Sequence, residues 1–224
     1  MGKHWARQQV RRNEVQDALE KGIHWTALNR RVAGGTAAVA LAVLLAGGLF
    51  LYSSRARQNA AWDRLSVAES AAYAGNPDAA LKQISDLVAE HSGAKAASYG
   101  LLFSGDVQFQ REKYAETIEA YGKVLERGEP KAALPLALGG LGVALEAAGQ
   151  HRQALEKAES FLQTYPDHFL APQVHASLAR SQQTLGQNDQ ARATLQKISL
   201  QYPDTSWAAW AQARLNPAAP SAQK

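Results

Sequence analysis

Residues 105–125, GDVQFQREKYAETIEAYGKVL, align with residues 142–162, GVALEAAGQHRQALEKAESFL, when one segment is shifted by 37 residues. Both segments begin with glycine, pass through a short polar turn and then place small and apolar residues at matching positions. The same register extends to one further copy on each side. Repeats of 20–50 residues that keep such a register are typical of solenoids, in which each unit buries its apolar face against its neighbours.

Four kinds of position recur at this spacing. A small residue comes first, a turn residue follows, then a second small position occupied once by Thr, and finally an apolar residue. The four columns are Ala68, Gly105, Gly142 and Ala179; Gly75, Glu112, Gly149 and Gly186; Ala80, Thr117, Ala154 and Ala191; and Leu87, Val124, Phe161 and Ile198.

Each unit is predicted to be a pair of helices. Apolar residues recur every three to four positions on both sides of each turn, whereas the β-branched alternation typical of strands is absent. Proline ends the second helix of the last two units, at Pro166 and Pro203. We expect an all-α fold with helix pairs at 58–74 and 77–90, 95–110 and 113–127, 131–148 and 151–164, and 168–185 and 188–201, closed by a capping helix within 205–215. A nonrepetitive helical bundle is the competing interpretation.

These columns resemble the tetratricopeptide repeat. In each pair we call the first helix A and the second helix B. The chain shares four features with that family: a small residue within helix A, a Gly or Asn turn, an Ala early in helix B and a Pro after helix B. The usual unit of the family is about 34 residues long. The resemblance implies that small residues such as Gly105 and Gly142 let helix A approach helix B closely. It also implies a concave surface lined by the A helices, which suits an extended peptide or a partner domain.

An uncharged run upstream of the repeats predicts a transmembrane helix at 32–54. Its apolar part, 32–52, would span about 31 Å as a helix, close to the thickness of the hydrocarbon core. A cleaved secretory signal is the alternative, but the apolar core of such signals is about 7–15 residues long. The repeat domain is therefore assigned to 55–215, and the Pro-containing tail 216–224 is expected to be disordered.

The excess positive charge lies before this segment. Residues 1–31 contain seven Lys or Arg and three acidic residues, so their net charge of +4 equals that of the whole chain. The Arg30–Arg31 pair at the boundary favours a cytoplasmic arm and an exported repeat domain. This location favours an anionic membrane surface over nucleic acid as the target of the charge. Asn13 is a candidate N-cap for an amphipathic helix in the arm, and a docking helix for a cytoplasmic protein is the alternative.

A stripe of small residues on the predicted transmembrane helix is a candidate contact with another helix. Small residues at four-residue intervals permit close packing in lipid. The composition offers a simpler explanation, since ten of the 21 apolar-run residues are Ala or Gly. The stripe consists of Gly34, Ala38, Ala42 and Ala46.

Catalytic and cofactor signatures are missing from the sequence. The chain has no Cys, no GxxxxGK loop and no HExxH motif, and its six His are scattered. Asp106 and Glu112 are interpreted as solvated helix ends rather than as an acid and base pair. We expect a protein that is not an enzyme and that binds no cofactor, metal or small-molecule substrate.

Partner binding is instead expected in the groove of the repeat domain. The predicted groove residues are exposed and mildly polar: Tyr99, Gln108, His175 and Gln182. Ordinary solvated surface is the alternative explanation for each of them.

The complete layout resembles the YfgM-like family of ancillary subunits of the SecYEG translocon. The shared features are the short basic arm, the single span and about four tetratricopeptide-like units. The resemblance implies a single-pass protein of the bacterial inner membrane with a cytoplasmic N-terminus. It also implies a noncatalytic scaffold whose periplasmic repeats associate with the translocon, periplasmic chaperones or translocating polypeptides. The alternatives are an assembly factor for another envelope complex, such as outer-membrane, cytochrome or cell-wall machinery, and a cytoplasm-facing regulatory adaptor if the topology is reversed.

Overall fold

The computed structural model describes residues 20–216, and within that range all the regular secondary structure is helical. The chain divides into two compact units, Met1–Ala56 and Arg57–Lys224. The amphipathic helix predicted to begin at Asn13 starts outside the described residues, as does the tail beyond Asn216.

In the first unit, residues 20–28 are helical and a long helix, α1, begins at Arg30. Helix α1 spans Arg30–Tyr73 without interruption, so it contains the predicted span 32–54 and also supplies the first helix of the repeats. An 18-residue window of α1 has a mean hydropathy of 2.0 and none of it is buried. The helix is therefore long and apolar enough to cross a membrane. An N-terminal signal sequence can have the same length and apolar composition.

In the second unit, eight further helices follow α1 along the described chain. They are α2 (Pro77–Glu90), α3 (Lys95–Gln110), α4 (Tyr114–Arg127), α5 (Leu134–Ala147, preceded by a 3₁₀ turn at Lys131–Ala133), α6 (His151–Thr164), α7 (Ala171–Thr184), α8 (Asn188–Gln201) and α9 (Ser206–Leu215). From α2 onward each helix packs on the next one, and α5 with α7 and α7 with α9 also touch. This is the all-α solenoid that the 37-residue register predicts.

The turn column has one backbone conformation in all four units. Gly75, Gly149 and Gly186 have φ values of 81°, 76° and 76°, and Glu112 has a φ of 60°. Glycine adopts this left-handed region without the steric cost of a Cβ atom, which explains its use in three of the four turns. The prediction that this column forms turns is confirmed.

Two helices start three residues later than predicted, and in α5 the residues Lys131–Ala133 form the 3₁₀ turn instead. Helix α7 begins at Ala171 rather than at 168, because residues 166–170 form turns and Pro172 occupies the first turn of the helix. Proline favours that position, since the amide it lacks has no partner within the helix there. Helix α9 is capped by Thr205, whose Oγ1 accepts a hydrogen bond from the Ala208 amide at 3.2 Å, and it packs on α8 and α7.

Close packing between helices A and B depends on which residue faces each small position. A Cβ atom on Gly105 would lie 2.5 Å from Cε1 of Tyr121, and one on Gly140 would lie 2.8 Å from the same ring. The Tyr121 ring therefore fills the space between α3 and α5 and is held from both sides. In the next unit Ala158 stands where Tyr121 would be, and a Cβ atom on Gly142 would meet nothing closer than 3.8 Å.

Two of the residues predicted to be exposed in the groove are buried instead. His175 and Gln182 on α7 are 4% and 6% exposed. Gln182 accepts a hydrogen bond from Thr194 Oγ1 at 2.8 Å, and His175 packs beside the Tyr202 ring. The expected exposure of both residues is therefore wrong, because they lie on the face of α7 that contacts α8 and its C-terminal end. Burial, together with the charge of Lys197, lowers the pKa of His175 to about 4.

Replacing Gly105 with Ala should destabilise the repeat domain by about 1–3 kcal/mol, since the new methyl group overlaps a ring that cannot move away. Gly142→Ala is the matched control at the same column, where the methyl group has room and alanine favours the helix. Thermal unfolding of the full-length chain followed by circular dichroism measures both. Equal melting temperatures for the two variants would contradict this packing.

Stability should fall as the pH decreases from about 6.5 to about 4, because the unfolded chain takes up a proton at His175 before the folded chain does. A shift of this size corresponds to roughly 3 kcal/mol over the whole window. Urea unfolding of the native chain and of His175→Leu, measured at several pH values, isolates this contribution. The variant should lose less stability across the window, and an unchanged pH dependence would show that His175 titrates normally.

Candidate functional site

A cavity of about 470 Å³ lies on the A-helix side of the solenoid. Four successive A helices, α1, α3, α5 and α7, contribute to its wall, and α4 contributes only Tyr121. Most of the lining is aromatic or aliphatic. The lining residues are Glu69, Tyr99, Leu102, Phe103, Asp106, Phe109, Tyr121, Leu136, Gly139, Gly140, Val143, Leu170, Gln173 and Val174.

The 37-residue register explains how these side chains come together. Tyr99, Leu136 and Gln173 occupy one column, and Asp106 and Val143 occupy a second column seven residues later. Residues seven apart lie on the same helical face, so each A helix presents the same two positions to the groove. The chemistry of the groove therefore changes from unit to unit while its geometry repeats.

Glycines on α5 make room for the cavity. Gly139 and Gly140 are both lining residues, and their neighbours Phe161, Leu170 and Tyr121 approach the backbone directly. A side chain at Gly140 would overlap the Tyr121 ring, as described above. The cavity is deep at this point because α5 has only backbone atoms at two positions where other units carry side chains.

A hydrogen bond joins the two polar groups of the cavity floor. The Tyr121 hydroxyl donates to Oδ1 of Asp106 at 2.6 Å. Burial raises the pKa of the Asp106 carboxyl, and the hydrogen bond from Tyr121 opposes this rise. Burial and the adjacent Asp106 both raise the pKa of Tyr121, so this phenol remains a neutral donor. The pair supplies a carboxylate that faces the groove and is backed by a fixed donor.

Aromatic rings surround the cavity on the α1 and α3 side. Tyr99 packs against Trp62 with ring centroids 5.4 Å apart, and Phe103 packs against Tyr73 at 6.2 Å. A second cavity of about 380 Å³ adjoins the first and shares Phe103, Asp106 and Phe109 with it. The aromatic and apolar surface is therefore continuous along several turns of helix.

The opposite end of the A-helix face is polar and internally paired. Arg180 on α7 donates through Nη2 to Oε2 of Glu146 at 2.8 Å and through Nε to Oε1, and Ser177 Oγ donates to Oε2 at 2.6 Å. Arg180 and Arg214 also lie over the Trp210 ring, at 5.8 Å and 4.1 Å from its centroid. Because Glu146 satisfies the Arg180 guanidinium, this cluster stabilises the contact between α5 and α7.

Of the four predicted groove residues, Tyr99 lines the cavity and the other three do not. Gln108 is half-buried on α3, and His175 and Gln182 are buried as described above. The reason is helical geometry: at about 100° per residue, a position nine residues after Tyr99 lies on the opposite side of α3. Whether any of the four contacts a partner stays a prediction.

Sequence reasoning missed Phe103 and Asp106, which follow Tyr99 by four and seven positions. Their spacing was the available signal, because these offsets keep residues on one helical face. Asp106, interpreted from the sequence as a helix end, lies inside α3 and lines both cavities. The small-residue stripe Gly34, Ala38, Ala42 and Ala46 is exposed on α1, and its role as a contact stays a prediction.

Residues 145–215 match the sequence model of a tetratricopeptide repeat family (TPR_19). No curated protein matches this chain in sequence. The chain is similar in structure to a tetratricopeptide repeat protein from Parabacteroides merdae ATCC 43184, with a TM-score of 0.60 and 14% identity over 70% of this chain and 59% of that one. The present chain thus spans less than two thirds of that relative.

Two other solved structures show the same likeness. MamA AMB-1 has a TM-score of 0.53 and 20% identity over 66% of this chain and 76% of its own. The tetratricopeptide-like repeats of a putative kinesin light chain from Podosopora anserina have a TM-score of 0.55 and 17% identity over 69% and 83% of the respective chains. At these identities the similarity concerns the fold. Taken with the helix pairs described above, it shows that the chain has an all-α solenoid fold like that of tetratricopeptide repeat proteins.

Proposed function

We propose that this chain is a noncatalytic, membrane-anchored adaptor whose repeat groove binds protein segments in the cell envelope. The observation that carries the binding role is the cavity on the A-helix face, which is mostly aromatic and aliphatic and contains few polar groups. Concave apolar sites with a few placed polar groups are typical of ligand binding. Solenoids of helix pairs offer such surfaces to extended partners.

The anchoring role is supported by the exposed apolar surface of α1. Large side chains in the segment 32–54 are exposed, such as Leu44 at 72% and Phe50 at 66%. Apolar surface of this extent is unfavourable in water and favourable in a bilayer. The uncharged segment is also of the length that a bilayer requires.

The location and the partners follow from the resemblance in layout described above. We propose a single-pass protein of the bacterial inner membrane, with its N-terminus in the cytoplasm and its repeats in the periplasm. The partners are translocon subunits, periplasmic chaperones or translocating polypeptides. The basic arm 1–31 supports this orientation through the Arg30–Arg31 pair at the cytoplasmic boundary.

Fusions at Lys224 test the orientation. Alkaline phosphatase requires disulfide bonds that form outside the cytoplasm, so a fusion to it should be active in living cells. A green fluorescent protein fusion at the same position should stay dark when exported by the Sec route. The reverse pattern would assign the repeats to the cytoplasm and support a regulatory adaptor on that side.

Photocrosslinking tests the groove as the binding surface. A photoreactive residue replacing Gln173, which lines the cavity, should form adducts with translocon subunits or periplasmic folding factors in intact cells. The same residue replacing Glu159, which is exposed on α6 and does not line the cavity, is the matched control. Adducts with subunits of another envelope complex would favour the assembly-factor alternative, and identical background adducts at both positions would reject the groove.

A further inference from the structure

The cavity of about 470 Å³ carries negative charge without a compensating positive charge. Its lining includes two carboxyl groups, on Glu69 of α1 and Asp106 of α3, and no Lys, Arg or His. Neither carboxyl group takes part in an ion pair among the described residues. This differs from the Arg180 and Glu146 cluster at the other end of the groove, where the opposite charges already pair.

Asp106 retains an unused acceptor. Its Oδ1 accepts the hydrogen bond from Tyr121, whereas no hydrogen bond to Oδ2 exists among the described residues. The phenol donor is neutral, so it orients the carboxyl group without compensating its charge. Although Asp106 as a residue is exposed to solvent, partial burial of its carboxyl group raises its pKa. A cation placed beside Oδ2 would remove this penalty.

The walls suit the rest of a basic side chain. Tyr99, Phe103 and Phe109 contribute aromatic rings to the same lining as the two carboxyl groups. Aromatic faces attract ammonium and guanidinium groups, and the methylene stems of Lys and Arg pack on apolar surface while the charged end reaches polar atoms. Leu136, Val143 and other aliphatic side chains remain available for apolar residues next to the basic one.

Other occupants fit less well. An acidic peptide would place its carboxylates against Glu69 and Asp106 without a compensating cation. A purely apolar segment would exclude water from both carboxyl groups and give them no partner, which is unfavourable. Only a cationic occupant improves both the polar and the apolar contacts of this cavity.

We propose that the cavity binds a lysine or arginine side chain of a partner segment, with apolar residues on either side of it. The charged end pairs with Glu69 and Asp106, and the stem lies against Tyr99 and Phe103. This inference rests on the proposed function, because it names the chemistry that the groove selects. It predicts that partners carry basic residues embedded in apolar sequence.

The test compares three fluorescent peptides that differ at one central position flanked by leucines: lysine, the neutral isostere norleucine, and glutamate. Fluorescence anisotropy measures their affinity for the full-length chain in nanodiscs of zwitterionic lipid, with empty nanodiscs as the blank. The lysine peptide should bind about tenfold more tightly than the norleucine peptide, as expected for one charged hydrogen bond. The glutamate peptide should bind most weakly.

Variants locate this preference. Glu69→Gln combined with Asp106→Asn should bring the ratio of lysine to norleucine affinity close to one, while the norleucine peptide binds as before or more tightly. The amide oxygen at position 106 still accepts the Tyr121 hydrogen bond. Should the double variant fail to fold, Glu69→Gln alone should lower the ratio, since the Glu69 side chain takes part in no ion pair among the described residues. Glu126→Gln, an exposed carboxyl on α4 outside the cavity, is the control that should leave the ratio unchanged.

The outcomes separate the two proposals. Equal binding of the lysine and norleucine peptides, or an unchanged ratio in the variants, would overturn the selection of a cation and leave the protein-binding groove intact. Absence of binding by all three peptides would also overturn the selection of a cation. Only that result, together with background crosslinking from Gln173, would count against the groove itself.

Discussion

The contact of the Tyr121 ring with the backbones of two glycines is the interaction on which the middle of the repeat domain depends. Gly105 on α3 and Gly140 on α5 touch the ring from either side, and the hydroxyl is fixed by Asp106. Because a protein interior tolerates little change in volume, this contact sets the distance between two A helices and the B helix that separates them. The same ring forms part of the cavity wall, so the helix packing and the cavity share one residue.

The repeats satisfy this constraint in different ways. Where α4 places Tyr121, the facing small position must be glycine, whereas Ala158 in the next unit leaves room for a methyl group opposite Gly142. A solenoid is stabilised by contacts between neighbouring units, so each pair of facing positions needs only to be complementary within itself. This explains why the columns vary in residue size while the helices keep their spacing.

Much of the fold follows from the register in the sequence. From α2 onward the helix ends lie within a few residues of those expected, and all four turn positions adopt the left-handed conformation. The register does not say which face of an A helix is open. Gln108 and Tyr99 are polar residues of one helix, yet they lie on opposite sides of it, and His175 shares a column with the buried Leu101. Choosing the groove residues requires the positions of the neighbouring helices, which the local sequence pattern does not contain.

The sequence analysis also did not predict that α1 continues through residue 54 without a break, although no Pro or Gly lies between 49 and 74 to end the helix.

If complementary sizes at facing positions hold the groove together, a double-mutant cycle between Gly105 and Tyr121 should detect their coupling. Gly105→Ala is measured in the native chain and in Tyr121→Ala, where the ring is absent as it is in the next unit. We expect a coupling free energy of about 1–3 kcal/mol, with little cost of the new methyl group once the ring is removed. Equal destabilisation by Gly105→Ala in both backgrounds would show that the ring does not limit the approach of the helices and would contradict the account.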